Sequence, residues 1–271
     1  MAKTDVNCAL IALNKPSNYD SHQVTALLKR MLNVNKIGHS GTLDPKVTGV
    51  LIVFLNRATR LATYLFGSDK EYVGIIYLHE DINIKELREA IKRKFTGIIK
   101  QIPPVKSAVK RQEREREIYS FKILEKNGKE VLFSIKCESG TYVRKIIHDL
   151  GEELKIGAHM LELRRIREGI FEEKDCVNMY DIDKAIKEEK LNKILLPPEV
   201  ITKNMPKITI NKKYLEKVYN GSPILKEYIL KKDSFKKGDV VAVFSNKRLI
   251  EISQVVNEED VIAKPLTVLK Y

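Results

Sequence analysis

A single aspartate stands inside the stretch GHSGTLDPKVTG, Gly38 to Gly49, where three glycines and a proline crowd into twelve residues ahead of the apolar run Val50 to Leu55. A carboxylate in such a place has two readings. In the first, Asp44 caps a turn, Pro45 fills the first position inside it, and Gly49 closes it with positive φ. In the second, Gly38, His39, Ser40, Gly41 and Thr42 make a chain path with little side-chain bulk above the aspartate, so a ligand's backbone can come close. Other chemistry-bearing side chains are dispersed. Lys15 reads locally as a solvated turn lysine, Tyr72 in KEYVG as a half-buried strand tyrosine, and Arg144 in TYVRK as a solvated helix arginine. Leu163 in LELRR reads as a core leucine and His39 as a satisfied loop histidine.

The elements that must position these residues follow from periodicity. Cys8 to Leu13 reads as a short buried strand that exits through Lys15-Pro16. Ser21 is the expected N-cap of a helix with Val24, Leu27, Leu28, Met31 and Leu32 inward. Val50 to Leu55 is a strand, RATRLATYLF a second helix and KEYVGIIYLH a strand. Asn83 caps a third helix with Ile84, Leu87, Ile91 and Phe95 inward, closed by Gly97. Residues 105–117, polar and charged throughout, read as a basic loop. A hairpin turning at Asn127-Gly128 follows. Thr141 is the expected cap of a helix whose stripe is Val143, Ile146, Ile147, Leu150 and Leu154, with Arg144 off that stripe. A last strand, HMLELRRIR, and a helix near residues 180–190 end the larger unit. Pro197, Pro198 and Pro206 mark a linker. A short helix ended by Gly221 and several short strands then suggest a small β-barrel.

Composition narrows the function. The chain has 271 residues, 43% apolar and 31% charged, the range of a globular protein. No apolar run approaches the roughly 20 residues that span a bilayer, and the N-terminus lacks a signal-peptide pattern, so an intracellular protein without membrane association is expected. Cys8, Cys137 and Cys176 are odd in number and far apart, and the histidines are scattered; neither a disulfide framework nor a metal is expected. The 49 Lys and Arg against 36 Asp and Glu leave a formal charge of +13. Such a surplus suits a polyanion, although a lysine-rich surface kept for solubility is also compatible with it.

Several separated motifs, in order, carry a family resemblance. GHSGTLDPKVTGVL resembles the signature loop of TruB-type RNA pseudouridine synthases, and its KVTG ending resembles the archaeal and eukaryotic dyskerin-like, H/ACA-guided branch. LNKPSNYDSHQV, RATRL, KEYVG, AVKRQ, GTYVRKIIHDLG and GAHMLELRRIREG continue the match, and SFKKGDVVAVF is similar to the core of a PUA domain. The resemblance implies an α+β fold: a catalytic domain over residues 1–200, built on a mixed, largely antiparallel sheet with flanking helices, and a small PUA barrel over 205–271. It implies Asp44 as the catalytic aspartate and Arg144 as its ionic partner, with Tyr142 beside it. It implies Tyr72 stacking on the target base, Leu163 as a wall of the uracil pocket and Lys15 supporting the active-site loops. His39 would occupy the space of a flipped-out nucleotide.

The implied reaction breaks the N1–C1′ glycosidic bond of uridine, turns the base and joins C5 to C1′. It involves neither redox change nor hydrolysis, so no cofactor is expected. The implied partners are a box H/ACA guide RNA, the substrate RNA, and small proteins of the Nop-ten, Gar-one and kink-turn-binding types. The expected location is the cytoplasm in an archaeon and the nucleus or nucleolus in a eukaryote. Two other functions fit the residues: a stand-alone tRNA enzyme, and an inactive RNA-binding scaffold. The short segment after QIPP lacks the long thumb of stand-alone relatives, and keeping Asp44, Tyr72 and Arg144 together is unnecessary for a scaffold.

Overall fold

The structure is a computed structural model that describes residues 6–103 and 110–270. Its first half forms β1 Cys8–Lys15, α1 Ser21–Met31, β2 Ile37–His39, β3 Thr48–Asn56, α2 Thr63–Phe66, β4 Lys70–Leu78 and α3 Ile84–Lys94. Then come β5 Gly97–Gln101, β6 Arg114–Asn127, β7 Glu130–Cys137, α4 Val143–Glu153, β8 Ala158–Glu168, β9 Phe171–Glu172 and α5 Met179–Lys187. These strands build one sheet in the order β1-β3-β8-β4-β7-β6-β5, with β2 on β3 and β9 on β8. Every pairing but one is antiparallel. The exception joins β3 to β8 through Thr48 opposite Arg164 and Gly49 opposite Arg165.

That two-residue seam divides the sheet into two packed halves. On one side, α3 and α4 bury Leu87, Ile91, Ile146, Ile147 and Leu150 against β4, β6 and β7. On the other, β1 and β3 are buried on both faces: Ile11, Leu13, Leu51 and Val53 meet α1, while Leu10, Ala12, Val50 and Ile52 meet the C-terminal unit. Strands buried on both faces read as continuous apolar runs, which is why CALIAL and VLIVFL carry no alternation.

The C-terminal unit comprises β10 Lys207–Ile210, α6 Leu215–Tyr219, β11 Ile224–Leu225, β12 Ile229–Lys232, β13 Val240–Ser245, β14 Arg248–Glu258 and β15 Val261–Val268. Its sheet runs β11-β15-β14-β13-β10-β12. The two edge strands are joined only by the turn Lys226–Tyr228, so the sheet must curl until its ends approach, as a half-barrel. Its outer face, with Ala242, Leu249, Ile252 and Leu269, shares one apolar cluster with Leu10, Ile52 and Leu61. The proline-rich segment between the sheets is itself packed. Pro198–Thr202 is a 3-10 turn with Ile201 and Thr202 buried, and Leu196 exchanges backbone hydrogen bonds of 2.8 Å with Leu10.

Local expectations hold at α3, which Asn83 caps by accepting from the Lys85 amide, and at the Asn127-Gly128 hairpin between β6 and β7. Others are corrected. Asp20, not Ser21, caps α1, in a reciprocal box with Gln23; the hydroxyl of Ser21 is used elsewhere. The Thr141 hydroxyl donates to the Glu138 carbonyl at 2.7 Å, which leaves Tyr142 as the cap residue of α4. RATRLATYLF forms a 3-10 turn and the short α2 instead of one helix. Of the expected loop at 105–117, residues 105–109 lie outside the described ones, and Arg114 to Glu117 extend β6, paired with β5. The charges that suggested a loop alternate there between half-buried and exposed positions, the period of a strand near a sheet edge.

Candidate active site

The GHSGTLDPKVTG stretch leaves β2 and re-enters the sheet at β3, so its turn sits at the β3–β8 seam. Leu43 and Val47 are buried in the core with Tyr72 and Leu163, while Asp44 between them keeps half of its side-chain surface exposed. The aspartate is thus held at the surface by two buried flanks. The Val47 amide donates to the Asp44 carbonyl at 3.0 Å, closing a turn. Gly49 has φ +99°, and a Cβ there would lie 2.2 Å from the Arg165 carbonyl oxygen. The turn and the positive φ of Gly49 follow the first reading, but the turn closes on the Asp44 carbonyl while its carboxylate pairs with Arg144, and the close approach at Gly49 is that of the chain's own β8. Gly49→Ala is expected to cost about 3 kcal/mol, because left-handed strain adds to a backbone collision at the seam. Chemical denaturation measures this; an unchanged midpoint would mean that the seam yields freely.

Two residues pin the turn from below. The Ser21 hydroxyl accepts from the Leu43 amide at 2.8 Å and donates to its carbonyl at 3.2 Å. Lys15 has no exposed surface. Its ammonium donates to the carbonyls of Pro16, Tyr19 and Pro45 at 2.7, 2.5 and 3.2 Å. The solvated-lysine reading is therefore corrected: the last residue of β1 turns inward to tie two loops together. Burial lowers the Lys15 pKa to about 8, against the raising effect of Asp20.

Arg144 lies on the first turn of α4, off its buried stripe, and its guanidinium pairs with the Asp44 carboxylate. Both side chains are more than half exposed, 56% and 51%. An ion pair so wet adds only about 0–1 kcal/mol to stability, so the fold does not require it. What it does is fix the orientation of the carboxylate. The N-terminus of α4 is fixed by Gln101, a buried residue at the end of β5. Its amide group donates to the Tyr142 carbonyl at 3.2 Å and accepts from the Tyr142 amide at 3.1 Å.

Tyr72 and Leu163 lie on facing strands, β4 and β8, where Tyr72 is opposite Arg165 and Gly74 opposite Leu163. A Cβ on Gly74 would sit 2.9 Å from the Leu163 side chain, so this glycine makes room for the leucine. Burial pushes the Tyr72 phenol up to about 12, which keeps it protonated at neutral pH. His39, on β2, is half buried and packs edge-on against the His22 ring at 5.1 Å. Desolvation, with lesser effects from His22 and Arg165, lowers its pKa to about 4. It is a neutral imidazole at physiological pH, and its Nδ1 finds no hydrogen-bond partner among the described residues.

Sequence reasoning missed Ser21 as a tether, Gln101, and the buried Lys70, Arg165 and Glu168. A signal for two of these was present. Lys70 and Tyr72, like Leu163 and Arg165, are two apart on a strand, so they share a face with residues already singled out. Among the described residues no cluster of three or more His, Cys, Asp or Glu side chains could hold a metal, and no helix is long and apolar enough to cross a membrane.

Two family models match consecutive parts of the chain. Residues 29–143 match the N-terminal domain of TruB family pseudouridylate synthases, and residues 144–202 match the C-terminal domain of tRNA pseudouridylate synthase B. The chain therefore belongs to the TruB family and is a pseudouridine synthase, an isomerase. A probable tRNA pseudouridine synthase B of Korarchaeum cryptofilum is 44% identical over 93% of this chain and 80% of its own length. A protein of the same description from Sulfurisphaera tokodaii is 43% identical over 97% and 79%. Among solved structures, a Cbf5-Nop10-Gar1 complex contains a chain 37% identical, with a TM-score of 0.86, covering 98% of this chain and 85% of that one. An H/ACA ribonucleoprotein bound to a substrate RNA containing 2′-deoxyuridine contains another, 33% identical with a TM-score of 0.87, covering 98% and 86%.

Proposed function

We propose that this chain is the catalytic subunit of an H/ACA ribonucleoprotein and converts guide-selected uridines of rRNA or tRNA to pseudouridine, with Asp44 as the catalytic carboxylate. The observation that carries the catalytic assignment is the half-exposed Asp44–Arg144 pair, set on a turn whose flanks are buried beside Tyr72 and Leu163. The carboxylate acts by adding to the substrate or by removing a sugar proton to give a glycal. Either route needs it anionic. Bound RNA surrounds it with phosphates and buries it, and both effects favour the neutral acid; Arg144 opposes them. Tyr72 stacks on the uracil as a neutral ring and Leu163 lines the pocket. Lys15 holds the loop, Tyr142 seats the arginine's helix, and His39 fills the place the flipped nucleotide leaves.

The guide-dependent assignment rests on the H/ACA assemblies in which the structural neighbours occur and on the short span between β5 and β6. The PUA assignment for residues 205–271 rests on the SFKKGDVVAVF motif and the curled sheet that contains it. By analogy with those assemblies the partners are a guide RNA and the three small proteins, and the archaeal relatives favour the cytoplasm as the place of action. The names of the curated relatives support the alternative, a tRNA substrate. A comparison of two substrates decides between them. Full-length protein, assembled with partner proteins and an H/ACA guide, is expected to modify a matched RNA, and protein alone to act poorly on a naked tRNA stem-loop. Efficient guide-free modification of the stem-loop would establish the stand-alone enzyme instead.

A further inference from the structure

Beneath the proposed active site lies a group of buried charges that the reaction chemistry does not itself require. Arg165, Glu168 and Lys70 are 2%, 0% and 4% exposed. Glu168 lies between the two cations, 3.1 Å from the Arg165 guanidinium and 3.6 Å from the Lys70 ammonium. Neither of its oxygens has an aligned hydrogen bond among the described residues, so the group is held by charge. Burying such charges costs several kcal/mol per ion, by order of magnitude, and apolar side chains commonly do as well for stability. Their connections suggest another purpose.

Each cation reaches a different part of the proposed site. Arg165 donates to the Val50 carbonyl at 2.7 Å and to the Gly41 carbonyl at 3.3 Å, on the two arms of the turn that carries Asp44. Gly41 neighbours the group: a Cβ there would lie in ordinary contact, 3.6 Å from the Arg165 guanidinium and 3.7 Å from a Glu168 oxygen. Arg165 also faces Tyr72 across the β4–β8 pairing. Lys70, two residues before Tyr72, donates to the carbonyls of Phe66 and Ser68 at 3.0 and 2.6 Å and to the Ser139 hydroxyl at 3.1 Å. Ser139 belongs to the loop that leads into α4 and Arg144.

We propose that Lys70, Glu168 and Arg165 form a buried charge hub that sets the position of Asp44 relative to Arg144 and Tyr72, with Lys70 as the positioning residue for the arginine's loop. The proposal rests on the catalytic reading of Asp44 and Arg144 given above. A displacement of about 1 Å at a reacting group is enough to lose roughly 100-fold in rate, and the hub joins three segments distant in sequence that must agree to that tolerance.

The test uses the full-length protein in the guided assembly. Single-turnover rate and RNA affinity are measured for wild type, Lys70→Met, Lys70→Arg, Ser139→Ala and Asp44→Asn. Lys70→Met is expected to lose about 10-fold to 100-fold in rate with RNA affinity within a few fold, and Lys70→Arg to recover part of that loss. In an Arg144→Lys background the further loss from Lys70→Met should be smaller than in the wild type, since both act on one ion pair. Ser139→Ala removes the Lys70 link to the α4 loop, together with the hydroxyl's own bond to the Phe66 carbonyl, and leaves the buried charges intact. It should lose rate in the same way, and it decides the matter if Lys70→Met fails to fold. Wild-type rates in Ser139→Ala, or in folded Lys70→Met, alongside an inactive Asp44→Asn would overturn the hub. Turnover by Asp44→Asn would overturn the catalytic reading instead.

Discussion

Arg144→Ala is expected to lose roughly 100-fold or more in single-turnover rate while the protein unfolds at an unchanged denaturant concentration. The two halves of this expectation have one cause. Because Arg144 and Asp44 are both more than half exposed, their attraction is screened by water in the free protein and adds little to stability. When RNA covers the site, water is excluded, phosphates gather, and the same guanidinium becomes the principal counter-charge of the carboxylate. Arg144→Lys keeps the charge but not the planar fork, so only partial recovery is expected. Full activity in the lysine variant would mean that charge alone matters. A large fall in stability in the alanine variant would mean that the pair belongs to the fold.

Asp44→Asn is expected to have the largest effect of any substitution, roughly 1000-fold or more in rate, because the amide can neither add to the sugar or base nor remove a proton. The change is nearly isosteric. The turn it occupies is held by the Ser21 hydroxyl, the Lys15 ammonium and the buried Leu43 and Val47, so its shape does not depend on the carboxylate. Affinity for guide RNA should therefore stay within a few fold of wild type. A binding titration across a salt series measures this, and a large loss of affinity would mean that Asp44 has a structural part in RNA binding.

Much of this arrangement was legible in the residues. The stripe of α4 placed Arg144 off the buried face, and the Asn127-Gly128 turn marked the β6–β7 hairpin. Local patterns succeed there because neighbours in sequence decide the outcome. The seam was not legible. Gly49 meets Arg165 only because two distant strands lie parallel for two residues, and no local period encodes that contact. Buried charges were hidden for a related reason. Lys15, Lys70, Arg165 and Glu168 look like surface residues until folding brings carbonyls and counter-ions to them, and their burial depends on partners far along the chain. The packed segment at 197–202 escaped in the same way: three nearby prolines suggested a loose linker, whereas Leu196 and Ile201 are held by Leu10 and by the C-terminal sheet. For this reason substitutions in the whole protein test the site more cleanly than truncation after residue 200, which would uncover the apolar face of β1 and β3.

The most direct measurement follows the hydrogen on C5. When C5 joins C1′ its hydrogen leaves, so a matched RNA carrying tritium at C5 of the target uridine releases tritium to water once per isomerisation. With guide RNA and partner proteins present, wild-type protein should release one equivalent per target, and Asp44→Asn protein, bound to the same guide with similar affinity, should release none above background. Tritium release by pure Asp44→Asn protein would contradict the assignment of Asp44 as the catalytic carboxylate.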